Sequence, residues 1–122
     1  MVRGPEEDNY EDAVLSVLAY EFPSTERRAS EAKIKRKLRA RKLGGYEPER
    51  IDLLRRFKDE VQAEIGRWRQ SEYYTRPHGE FADMKDFDRG RLAKDFAAAY
   101  PSIPERSVAQ FIDFAVYLYY LR

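Results

Sequence analysis

Residues 27–42, RRASEAKIKRKLRARK, are the hardest part of this chain to accommodate in a fold. They carry nine basic side chains, Arg27, Arg28, Lys33, Lys35, Arg36, Lys37, Arg39, Arg41 and Lys42, against one acid, Glu31, a net charge of +8. The whole chain of 122 residues is only +1, so elsewhere acidic side chains outnumber basic ones by 21 to 14. On a helix turning about 100° per residue, Arg27, Lys37 and Arg41 fall near Ile34, Lys35 and Lys42 to one side, Lys33 to the other, and Arg36 and Arg39 at the back. Ile34 and Leu38 supply one thin apolar contact at i, i+4, while Ala29, Ala32, Ala40 and Leu43 lie roughly opposite. A helix that is polar all round bridges solvent, is unstable alone, or is enclosed by a polar partner. The sequence therefore predicts a protruding basic helix that is weak in isolation and firms up against a polyanion. Duplex DNA, with one charge per roughly 1.7 Å of axis, is the first candidate. RNA, an anionic membrane surface or an acidic protein are alternatives, and a solvated helix without a ligand is the bland one.

The rest of the composition sets limits. At 122 residues, 43% hydrophobic and 37% charged, the chain is long enough for one domain with a modest core. It has no cysteine, so disulfide frameworks, zinc ribbons and thiol chemistry are excluded. The start, MVRGPEEDNYEDAV, is acidic and unlike a signal peptide, and no apolar run approaches the ~20 residues of a membrane span. One Asn and three Gln, beside abundant Arg, Lys and Glu, lean toward a thermophile's composition.

Along the chain the pattern is helical throughout. Asp8 with Glu11 reads as a capping box for an amphipathic helix over about 9–20, with Tyr10, Val14, Val17 and Leu18 on one face, ended by Phe22-Pro23. Ser24 or Thr25 can cap the basic helix and Gly44-Gly45 can stop it. Pro48 opens a third helix with an apolar stripe of Ile51, Leu54, Phe57, Val61, Ile65 and Trp68. On its exposed side Asp52–Arg56, Arg55–Asp59 and Arg56–Glu60 are expected ion pairs at i, i+4. Leu92, Phe96, Ala99 and Tyr100 mark a fourth helix, closed by Pro101, and Pro104 opens a fifth that runs to the terminus. The fold class expected is all-α, about five helices in a small bundle. The segments are 1–23 (acidic start and amphipathic helix), 24–45 (basic helix) and 46–122 (helical body), within a single structural domain.

Residues 67–79, RWRQSEYYTRPHG, interleave Arg67, Arg69 and Arg76 with Trp68, Tyr73 and Tyr74. Rings among guanidiniums stack on bases and also build ordinary protein interfaces; the interface is the favoured use and nucleic acid the second. His78 is the only histidine and sits in a Pro-His-Gly turn. Asp83, Asp86 and Asp88 invite a calcium loop, but with Asp86 first, Arg91 falls where the turn glycine belongs and Ala97 where a bidentate Glu is required. Asp86 or Asp88 as a helix cap fits better. No phosphate loop or nucleophile elbow is present. The chain is read as non-enzymatic, with no catalytic residue, metal site, cofactor or small-molecule substrate.

Two apolar-patterned helices around a short turn near the C-terminus resemble a helix-turn-helix. The second would have to offer donors to base edges, yet after Arg106 it presents Ser107, Val108, Ala109, Gln110, Phe111 and Ile112. This helix is instead apolar on two sides. Val108, Phe111, Ile112, Ala115 and Tyr119 form one stripe, and Phe114, Tyr117, Leu118 and Leu121 another. A small domain has difficulty burying both, so Phe111, Phe114, Tyr117, Leu118 and Leu121 are expected at a subunit interface.

A short, cysteine-free, all-helical chain with RRASEAKIKRKLRARK as a basic arm and VAQFIDFAVYLYYL as an apolar end resembles the major capsid proteins of filamentous archaeal viruses. The resemblance implies paired subunits stacked into a helical filament, with basic helices wrapping double-stranded DNA held in A-form, and a place in the virion. The near-neutral total charge is a departure from a packaging protein, softened by the clustering. The expected partners are double-stranded DNA and copies of the chain or a related subunit. Two other classes stay open: a small DNA-binding regulator using the helix-turn-helix, and a non-enzymatic helical adaptor, either of them cytoplasmic.

Overall fold

A computed structural model describes residues 9–21, 27–67, 71–73 and 88–120, residues 119 and 120 with their backbone only. The chain is all-α: α1 (Tyr10–Leu18), α2 (Arg27–Ala40), α3 (Pro48–Gly66), α4 (Arg89–Ala99) and α5 (Glu105–Tyr120), with no strand among the described residues. It divides into two compact units, residues 1–58 and 59–122, the boundary falling within α3. No helix among the described residues is long and apolar enough to cross a membrane.

In the first unit α1 begins one residue later than a cap at Asp8 requires. Asn9 is the N-cap, its side-chain oxygen accepting from the Asp12 amide at 2.8 Å, which satisfies one of the amides a helix start leaves unpaired. The expected face holds for Tyr10, Val14 and Leu18, but Ala13, Leu15, Ala19, Glu11 and Asp12 are buried as well. So short a helix is buried nearly all round because the chain returns along it. The Tyr10 hydroxyl donates to the Gly45 carbonyl and accepts from the Glu47 amide, each at 3.0 Å. Arg50 reaches the buried Glu11 carboxylate at 2.6 Å, with its guanidinium carbon 3.8 Å from the Tyr10 ring centroid.

A buried ionic cluster ties α1, α2 and the start of α3 together. Arg55 grips Glu21 with both arms, Nε to Oε1 at 2.7 Å and Nη2 to Oε2 at 3.0 Å. Lys58 donates to the Glu21 carbonyl at 3.2 Å and lies 3.5 Å from its carboxylate, and Ser30 of α2 adds a hydrogen bond. All four residues are buried. Burial alone would raise the Glu21 carboxyl, but the hydrogen bonds from Arg55 and Ser30 and the charges of Arg55 and Lys58 outweigh it and hold it at about 2. Arg55 thus turns inward to Glu21 and not outward to Asp59, and Asp52 lies 3.7 Å from Arg55 where Arg56 was expected.

Helix α2 ends without using Gly44-Gly45. The Leu43 amide donates to the Leu38 carbonyl at 3.0 Å and the Lys42 amide to the Arg39 carbonyl at 3.2 Å, the paired bonds of a Schellman stop. The left-handed residue this stop requires is Lys42, at φ 55°, where glycine is favoured because a Cβ there crowds the following carbonyl. Lys42→Gly should therefore raise stability by about 0.5–1 kcal/mol, read as a higher urea midpoint at unchanged slope. A lower midpoint would contradict this account of the stop.

The second unit holds the rest of α3, with α4 packed on α5. Its buried apolar side chains are Val61, Ile65, Tyr73, Leu92, Tyr100, Ile103, Val108, Phe111, Ile112, Ala115 and Val116. Asp88 caps α4, accepting from the Arg91 amide at 3.1 Å, and its own amide donates to the Tyr73 carbonyl at 2.7 Å. The Tyr100 hydroxyl closes the far end, donating to Glu60 at 2.6 Å. The expected caps at Asp8, Ser24, Thr25 and Asp86, the stop at Phe22-Pro23, and Trp68 and His78 lie outside the described residues.

Candidate nucleic-acid interface

The basic helix does not protrude. Ser30, Ile34 and Leu38, spaced by four, form a fully covered seam, and α2 packs on α1. The thin apolar contact suffices because the third member of the seam, Ser30, is satisfied by Glu21, so nothing polar is left unpaired along it. A helix held by one side cannot be enclosed on all sides, which corrects the expectation of cations meeting phosphates all around it.

The seam sorts the cations into groups. With Ile34 at zero and about 100° per residue, Lys35, Arg28, Arg39 and Arg36 occupy an arc of about 100° centred nearly opposite the seam. All four are exposed, as are Lys33 on the flank and Arg27, Arg41 and Lys42 beyond the ends of the seam. Lys37 lies beside the seam, and its ammonium donates to the Ser16 hydroxyl of α1. Burial, followed by the neighbouring charge of Arg41, pulls the Lys37 ammonium below its ordinary range. Of the nine cations, Lys37 is therefore the half-buried one, directed along α1 and away from the arc. Among the described residues no carboxylate forms an ion pair with Arg28, Lys35, Arg36 or Arg39.

Such a face, four cations over about three turns with no ion-pair partner among the described residues, has the chemistry of a phosphate-binding surface: donors that neutralise charge and release counterions without reading bases. No family model, curated protein or solved structure matches this chain. The site thus rests on its own geometry.

The second group of candidates fares differently. Tyr73 is buried, its hydroxyl donating to Asp95 at 2.7 Å, its amide to the Ser71 hydroxyl at 3.2 Å, with the Arg91 guanidinium 4.9 Å from its ring centroid. Burial first, then the hydrogen bond to Asp95 and that residue's charge, push the phenol up to about 12. Tyr73 is an internal strut, not a ring for bases or a partner. Arg67 is exposed and 3.4 Å from Glu64. Trp68, Arg69, Tyr74 and Arg76 lie outside the described residues.

On α5 the two expected stripes are unequal. Phe111, expected at a subunit interface, is buried within the chain beside Val108, Ile112, Ala115 and Val116. On the other side Phe114 stacks on Tyr117, ring centroids 6.4 Å apart at 29°. Tyr117 is 46% exposed, Phe114 and Leu118 are half-buried, and Leu121 lies outside the described residues. Ser107 and Val108, at the start of α5, are fully buried, which removes them from any contact with a DNA groove.

Proposed function

We propose that this protein is a structural nucleoprotein that binds double-stranded DNA without regard to sequence through the outward face of α2 and assembles on it into a helical filament. A capsid subunit packaging DNA in a virion is the specific form of this reading, drawn from the resemblance to the filamentous archaeal virus proteins. The observation that carries it is the arc of Arg28, Lys35, Arg36 and Arg39, exposed and without an ion-pair partner among the described residues. Because the helix is held along one side, each copy touches DNA from one side only, and enclosure of the duplex requires many copies. The half-buried and exposed side chains Phe114, Tyr117 and Leu118 are the surface through which copies meet. A regulator reading a groove with α5 is less well supported, since Ser107 and Val108 of its first turn are buried and leave Arg106 and Gln110 as the exposed donors.

Assembly and binding separate experimentally. Negative-stain imaging of the full chain with linear duplex should show filaments that are absent without it. The double variant Phe114→Asp/Leu118→Asp should still shift the duplex in a gel, but give no filaments and a lower mass in light scattering than the parent. Filaments without duplex, or an unaltered mass in the double variant, would remove this division of labour.

A further inference from the structure

The last turns of α2 and the segment after it enclose a cleft of about 330 Å3 lined by Lys35, Leu38, Arg39, Gly44, Gly45 and Tyr46. It holds two cations and no carboxylate. Lys35 and Arg39, four residues apart, share one side of the helix. The Lys35 ammonium lies 5.1 Å from the Tyr46 ring centroid, where a ring face attracts a cation, so it is held at the cleft. The half-buried Tyr46 ring gives the wall its apolar character, while Leu38 is fully buried. The amides of Gly44, Gly45 and Tyr46 have no hydrogen-bond partner among the described residues, while the Gly45 carbonyl is anchored from beneath by Tyr10. Gly44 sits at φ 111°, and a Cβ at either glycine would meet open space.

We infer that this cleft seats one nucleotide lying outside a duplex stack, its phosphate between Lys35, Arg39 and the Gly44 and Gly45 amides and its base against the Tyr46 ring. The inference rests on α2 being the nucleic-acid face and adds a site for a strand end, gap or overhang. A phosphate needs only the cations and amides. The apolar aromatic wall has a use only if a ring arrives with it, and a base stacked within a duplex has no face to offer. Aromatic side chains beside a cationic groove are the recurring means of holding unstacked bases. The volume is at the lower end for small-ligand sites, which suits one nucleotide and not a run of them.

Amide spectra of the full chain, titrated with a deoxynucleoside 5′-monophosphate, inorganic phosphate, a blunt duplex and the same duplex with a single-stranded overhang, test this. The Gly44, Gly45 and Tyr46 signals should move with the mononucleotide at concentrations at least about fivefold below those needed for phosphate, in line with the contribution of base stacking. The overhang should move them further than the blunt duplex, which reaches Lys35 and Arg39 only through phosphates, and Tyr46→Leu, its fold checked by its melting curve, should abolish the preference over phosphate. Equal response to phosphate and mononucleotide overturns the inference. So does silence of these signals toward every ligand while the blunt duplex still perturbs α2, which leaves the duplex-binding role standing. Response to the mononucleotide with no binding of any duplex supports the cleft and overturns the packaging role.

Discussion

Arg55→Ala should lower the stability of the first unit by about 3–5 kcal/mol, the penalty for leaving a buried carboxylate without its counter-charge. Glu21, Arg55, Lys58 and Ser30 are all buried, and the bidentate Arg55–Glu21 pair is the centre of the cluster. Lys58 alone, at 3.5 Å, is a poor replacement for two direct bonds. Because Ser30 belongs to the seam of α2, the loss should also loosen the basic helix, seen as faster amide exchange there than in α5. The same cluster sets a pH dependence. Glu21 is at about 2 in the folded protein against an ordinary 4.5, so it favours folding above pH ~4.5 and that stability is lost as the pH falls toward 2. The shift corresponds to about 3 kcal/mol. Urea midpoints of the parent should fall between pH 5 and 2 by more than those of Glu21→Gln, already low at pH 7. A Glu21→Gln variant with parental stability at pH 7 would show that the cluster is not what holds the unit together.

The fourfold variant Arg28→Gln/Lys35→Gln/Arg36→Gln/Arg39→Gln should bind duplex weakly and with little salt dependence. Each phosphate neutralised contributes about 0.9 to the slope of log K against log salt, so the variant's slope should be shallower by roughly 3 to 4. Between 50 and 200 mM salt, that difference amounts to about two decades of affinity. None of the four lies in the seam, so their removal should leave the melting curve unchanged or raise it by relieving like-charge repulsion. Lys37→Gln provides the contrast. Its ammonium is directed to Ser16 of α1 and away from the arc, so its loss should change the slope by less than that of any of the four although its charge is the same. Equal effects from Lys37 and Arg39 would mean that charge count, and not the face presented, governs binding.

The apolar stripe of α3 was legible because Ile51, Leu54, Phe57, Val61 and Ile65 repeat at three and four residues, and each is buried. Pro48, Asp88 and Pro104 marked helix starts for local reasons, and α3, α4 and α5 begin at or next to them. What was not legible depends on partners distant in sequence. Glu21 and Arg55 are separated by 34 residues, whereas helical spacing offered Arg55 a nearer acid at Asp59. A signal was nevertheless present: Ile51, Leu54, Arg55 and Lys58 follow the i, i+3, i+4, i+7 pattern of a covered face, and cations on such a face require a buried anion. Tyr73 among arginines had the look of a binding surface until Asp95, 22 residues on, took its hydroxyl. The seam of α2 was hidden for the opposite reason. One apolar pair flanked by a serine is too small to stand out in a run of cations, yet it fixes which cations face outward.

Duplex binding by the full chain, measured against salt on two unrelated sequences of equal length, tests that outward face most directly. Equal affinities for the two, with a slope of about −4 or steeper, are the predicted result. A flat salt dependence, or a preference of more than about a hundredfold for one sequence, would contradict it.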